Sequence, residues 1–65
     1  MSTHAYIKTR DCAFVMEYLH ANQCWATWRE DGGIQSMVEL HRTRGEASER
    51  VEARAGFQRL VEGAQ

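Results

Sequence analysis

The chain has 65 residues, with eight Lys and Arg against nine Asp and Glu, so its formal net charge is −1. Its length allows one domain at most (residues 1–65), and 43% hydrophobic with 26% charged residues is the composition of a small globular domain. The near-neutral balance argues against a strongly basic nucleic-acid or membrane binder and against a strongly acidic mimic of DNA.

Other exclusions follow from the same string. A chain this short buries only about 60% of its unfolded surface, which makes a staple or a partner chain valuable. Two cysteines allow one disulfide at most. The opening MSTHAYIKTR has no apolar run of the secretory kind. No stretch approaches the roughly 20 apolar residues of a membrane span. The expected compartment is the cytoplasm, where Cys12 and Cys24 stay reduced.

The first expected element is a strand over residues 4–9, with Ala5 and Ile7 on one side and His4, Tyr6 and Lys8 on the other. Thr9 or Asp11 then caps a helix over residues 11–22. Cys12, Val15, Met16 and Leu19 form one stripe of that helix, Phe14 and Tyr18 an adjoining one, and Glu17 and His20 the remaining wedge. Such a helix is apolar around most of its circumference, more than packing on one small sheet requires.

Residues 24–41, CWATWRE-DGG-IQSMVELH, have the pattern of a β-hairpin. A three-residue loop, Asp31-Gly32-Gly33, pairs Glu30 with Ile34, Trp28 with Ser36, Ala26 with Val38 and Cys24 with Leu40. Cys24, Ala26, Trp28, Ile34, Val38 and Leu40 then share the core face. Trp25, Thr27, Arg29, Gln35, Met37, Glu39 and His41 share the open one. A two-residue Asp-Gly loop would set Arg29 beside Ile34 and mix the faces. A one-residue slip inverts every side chain. If the two faces are swapped, Trp25 is core and Trp28 and its neighbours become the binding surface.

Residues 42–45 are the one linker-like spot, and residues 46–63 are expected to form a second helix. Ala53, Phe57, Leu60, Val61 and Ala64 follow helical spacing and are assigned to the core. Glu46 and Arg50 make an i, i+4 pair worth about 0.2–0.5 kcal/mol. Gly56 costs roughly 1 kcal/mol relative to alanine, and Gly63 is a natural stop. The fold class expected is α+β: a small two-layer sandwich, β-α-β-β-α, with a three-stranded sheet and two helices on one face.

Candidate chemistry is sparse. Cys12, His20, Cys24 and His41 are the ligand types of a structural zinc, but the close ligand pairs of zinc modules are missing. No nucleophile elbow, phosphate-cradling loop or H-E-x-x-H is present. The sequence therefore points to no catalytic residue, no cofactor and no metal.

What remains is a surplus of large apolar groups, which favours a protein partner and allows a homodimer. The protein-binding residues expected are Tyr6, Lys8, Phe14, Tyr18, Trp25, Arg29, Met37, Arg50 and Arg54. Trp and Tyr would be the apolar anchors, and Arg the directional contact. Size and the lack of catalytic equipment suit an inhibitor or adaptor of the kind viruses and mobile elements use against host machinery. Anti-CRISPR proteins are such a class, and the analogy is one of size and character only. The alternative is a small nucleic-acid-binding regulator. It would use aromatics on the open sheet face, or the basic cluster of Arg42, Arg44, Arg50 and Arg54.

Overall fold

The computed structural model describes residues 3–64. It contains four strands, β1 (His4–Lys8), β2 (Ala13–Leu19), β3 (Cys24–Asp31) and β4 (Ile34–His41), followed by one helix, α1 (Arg44–Gly63). The strands form an antiparallel meander in the order β1-β2-β3-β4. The helix lies across one face and touches all four strands. The expected β-α-β-β-α sandwich is corrected to ββββα: residues 11–22 are not a helix, and the sheet has four strands.

The reason is burial on both sides. β2 is a central strand: α1 covers one of its faces, and on the other its cross-strand neighbours Tyr6 and Trp28 flank Val15. Phe14 and Met16 are buried beneath α1, and Val15 is buried on the far face. An all-round apolar segment is the mark of such a strand as much as of a buried helix, and seven residues is strand length. Turns close both ends. Thr9 N–H donates to the Cys12 carbonyl at 2.8 Å, and Asn22 N–H donates to that of Leu19 at 3.2 Å. Gln23 takes the left-handed conformation, φ 51°.

The hairpin turn also differs from expectation. Asp31 pairs with Ile34, so the loop is the two residues Gly32 and Gly33, with φ 57° and 86°. Two successive positive φ values mark a type I′ turn, which matches strand twist and favours glycine. The register then shifts between Thr27 and Arg29: Arg29 pairs with Ser36, but Thr27 pairs with Glu39. The extra residue is absorbed at a bulge, where Met37 holds φ 57°. Beyond it, Ala26 pairs with Leu40 and Trp25 with His41.

In β3, and in β4 beyond the bulge, the faces are swapped, whereas Ile34 and Gln35 before the bulge keep the sides expected of them. Trp25, Thr27 and Arg29 share the helix side with Ile7, Phe14 and Met16. Thr27 is the largest fully buried side chain among the described residues, at 1% exposure, and its hydroxyl lies 2.8 Å from His41 Nε2. Trp28 and Ala26 are on the open side with Tyr6, Val15 and Leu40.

α1 begins at a capping box: Thr43 Oγ1 accepts from Glu46 N–H, and the Glu46 carboxylate accepts from Thr43 N–H. Its inward stripe is Ala47, Val51, Ala55 and Glu62, and the two alanines allow close approach to the sheet. Phe57 and Leu60, expected in the core, are 69% and 74% exposed. At about 100° per residue, Ala53, Phe57, Leu60 and Ala64 fall outside that inward stripe, Leu60 farthest from it and Phe57 on the flank.

Buried Glu62 is the far anchor. Its carboxylate accepts from the backbone N–H of Arg10 at 3.1 Å and of Asp11 at 2.9 Å, and from Gln58 Nε2 at 3.0 Å. Two successive backbone N–H groups make a small anion cradle, here filled from within the chain. Burial raises the Glu62 carboxyl. The hydrogen bonds from Gln58, Asp11, Arg10 and Thr9 outweigh it and bring the pKa from 4.5 down to about 2.

Candidate functional site

The bulge in β4 and the flank of α1 that carries Ala53, Arg54, Phe57 and Gln58 together make a groove. Its lining is Phe14, Arg29, Met37, Ala53, Arg54, Phe57 and Gln58, around a volume of about 330 Å³. Phe14 is the floor, 3% exposed, delivered by the central strand. Met37 and Phe57 stand on opposite walls, 51% and 69% exposed. A non-glycine residue with positive φ is uncommon, and strain of this kind collects at functional sites. The bulge re-aims Met37 so that it joins residues of α1, a familiar use of β-bulges.

The groove is apolar but not neutral. Arg54 Nη2 donates to Glu39 Oε1 at 2.6 Å, and Arg50 Nε meets the same oxygen at 3.2 Å. One carboxylate thus serves two guanidinium groups. Nε and Nη1 of Arg54 are enclosed and have no hydrogen-bond partner among the described residues. A buried donor left unpaired costs roughly 1–3 kcal/mol. Arg29 Nη1 reaches Asp31 at 3.5 Å, a long and exposed contact.

Of the nine expected binding residues, the groove gathers Phe14, Arg29, Met37 and Arg54. Arg50 sits beside it through Glu39. Tyr6 and Lys8 are on the opposite, open face of the sheet. Tyr18 and Trp25 pair across β2 and β3 with ring centroids 5.5 Å apart, half-buried on the helix side. The expectation that Trp25 and Tyr6 share an open face is corrected, as is an aromatic stripe of Phe14 and Tyr18 on a first helix. Phe57 was missed as a site residue because its spacing suited a core helix equally well. Trp28 is assigned to the core in the preferred reading and to the exposed surface only in the swapped one, and it lies on the open face.

The open face carries a second hollow of about 370 Å³, lined by His4, Tyr6, Lys8, Ala13, Val15, Trp28 and Glu30. Trp28 Nε1 is enclosed and unpaired among the described residues. Cys12 and Cys24 are free thiols, and Cys12 Sγ lies 3.4 Å from Thr9 Oγ1 in the core. Among the described residues no three His, Cys, Asp or Glu side chains gather where they could hold a metal ion.

No family model matches this chain, and no curated protein or solved structure matches it significantly. Among the described residues no helix is long and apolar enough to cross a membrane.

Proposed function

We propose that this is a small non-enzymatic protein-binding protein, an inhibitor or adaptor that covers a surface of a larger protein. The observation that carries the reading is the groove between the β4 bulge and α1. Two large apolar side chains, Met37 and Phe57, are exposed there on either side of a buried floor. Exposed apolar surface of this kind marks interaction sites, and methionine suits a surface that must adapt to a partner. Leu60, 74% exposed, extends the apolar strip along α1. The two free thiols fit a reducing compartment, so the reading includes a cytoplasmic location.

The competing nucleic-acid reading has less support. Arg50 and Arg54 both turn onto Glu39, which breaks up the basic cluster. The open face offers Tyr6, Trp28 and Lys8 for stacking and phosphate contact, but Glu17 and Glu30 share it.

The test is affinity capture from the native host with three baits: wild type, Phe57→Ala and Met37→Asn. The reading expects a captured protein that is lost with either variant while circular dichroism stays native. Capture that both variants retain would remove the groove from the interface. Binding that falls steeply with salt and follows added nucleic acid would favour the regulator.

A further inference from the structure

We infer that the groove takes an apolar side chain carried next to a carboxylate, an acidic-hydrophobic segment of the partner. The inference rests on the protein-binding reading of the same groove and names what that partner must present.

Three features of the groove select this chemistry. Its walls are Phe14, Met37, Ala53 and Phe57, so the part of the ligand that enters must be apolar. About 330 Å³ is at the low end of ligand pockets, room for one or two side chains. The charged groups that line it, Arg29 and Arg54, are both cationic. Glu39 is shared between Arg50 and Arg54, and Asp31 meets Arg29 only at 3.5 Å. Positive charge is therefore in excess around an apolar hollow. Arg54 also keeps two enclosed N–H-bearing nitrogens without an acceptor.

A carboxylate is the group that completes this arrangement. Its two oxygens match the planar donor fork of a guanidinium, and the pairing strengthens where water is excluded. A free phosphate offers the charge without an apolar body and leaves the walls unfilled. An aliphatic amide fills the walls and leaves the arginines unanswered.

The experiment is a set of NMR titrations of the intact chain, read at the Met37 methyl group and the Phe57 ring. The probes are N-acetyl-leucine, which is a carboxylate at neutral pH, N-acetyl-leucinamide, acetate and inorganic phosphate. The expected result is that N-acetyl-leucine binds at least about tenfold more tightly than its amide, a difference near 1.4 kcal/mol. Acetate and phosphate should bind more weakly still. Arg54→Gln and, independently, Arg29→Gln should erase the preference for acid over amide. Phe57→Ala should weaken acid and amide alike. Arg29→Gln keeps the test valid should Arg54→Gln fail to fold. Equal binding of acid and amide overturns the inference, as does phosphate matching the acid. Absence of any shift at Met37 and Phe57 overturns it too. Those outcomes leave the host-capture test untouched, because a partner could cover the groove with neutral apolar groups.

Discussion

Glu62 is the residue whose chemistry spreads furthest through the fold, because one carboxylate ties the end of α1 to the turn between β1 and β2. Its native pKa lies near 2, below the ordinary 4.5 it regains on unfolding. A depressed carboxyl contributes stability that is fully present above about pH 5 and is lost as pH falls toward 2. Urea midpoints measured by circular dichroism should therefore drop through that window in wild type. Glu62→Gln should give a lower but flatter profile, since its amide does not titrate; identical pH slopes would show that the cradle contributes nothing. Two backbone positions make the complementary point. Gly33, at φ 86°, should not tolerate valine, and Gly33→Val is expected to cost at least about 1–2 kcal/mol. Met37 holds φ 57° with a side chain made for the groove. Asparagine accepts that conformation more readily, so Met37→Asn should hold or raise the melting temperature while weakening partner binding. A variant that melts well below wild type would mean that the Met37 side chain supports the fold rather than the interface.

At the scale of the elements, the contrast between two phenylalanines is the most direct test of the helix orientation. Phe14, 3% exposed under α1, should cost about 3–5 kcal/mol when cut to alanine. Phe57, 69% exposed, should change stability by no more than about 0.5 kcal/mol. The reverse order in chemical denaturation would turn α1 by half a revolution. Thr43→Ala should cost about 0.5–2 kcal/mol by opening the capping box. The sequence made the extent of α1 legible, since residues 46–63 were expected and Arg44–Gly63 is observed. Its orientation was not legible. The helix has a second apolar stripe beside the inward one, and the inward one is disguised by Glu62 and by small alanines. β1 was legible from its alternation. β2 was not, because an apolar run buried on both faces loses the period of two that identifies a strand. In the hairpin, the glycine pair placed the turn. The bulge at Met37 added the residue that no alternation pattern can reveal, and that residue shifted every pairing beyond it. Four groove residues, Phe14, Arg29, Met37 and Arg54, were picked out by type, as aromatic, methionine and arginine candidates. Their convergence depends on β2 being a strand and on the bulge, so the groove itself was out of reach.

For the whole molecule, the sheet face that the described residues leave uncovered is the feature with the largest consequence. Tyr6 and Leu40 are exposed on the open face, at 62% and 61%, beside buried Val15 and Ala26. The simplest partner for such a face is a second copy, since two-fold pairing is the commonest assembly. The charges allow it: Lys8 stands on β1, whereas Glu17 and Glu30 stand on β2 and β3. A two-fold axis lying between stacked sheets, parallel or perpendicular to the strands, brings Lys8 of each copy near a glutamate of the other. Strands about 4.8 Å apart and about 3.3 Å per residue give roughly 400 Å² of sheet plan per copy. Two copies then bury somewhat less than the ~1,000 Å² that a firm interface needs, so the dimer should be weak and concentration-dependent. Sedimentation equilibrium of wild type across the micromolar to millimolar range should show reversible self-association. Tyr6→Lys and Leu40→Lys, both at exposed positions, should abolish it without lowering the melting temperature. Phe57→Ala on the other side of the molecule should leave it unchanged. Association lost with Phe57→Ala and kept with Leu40→Lys would place the self-contact in the groove and leave the open face to another partner. A wild type that stays monomeric at millimolar concentration would rule out the sheet-to-sheet dimer.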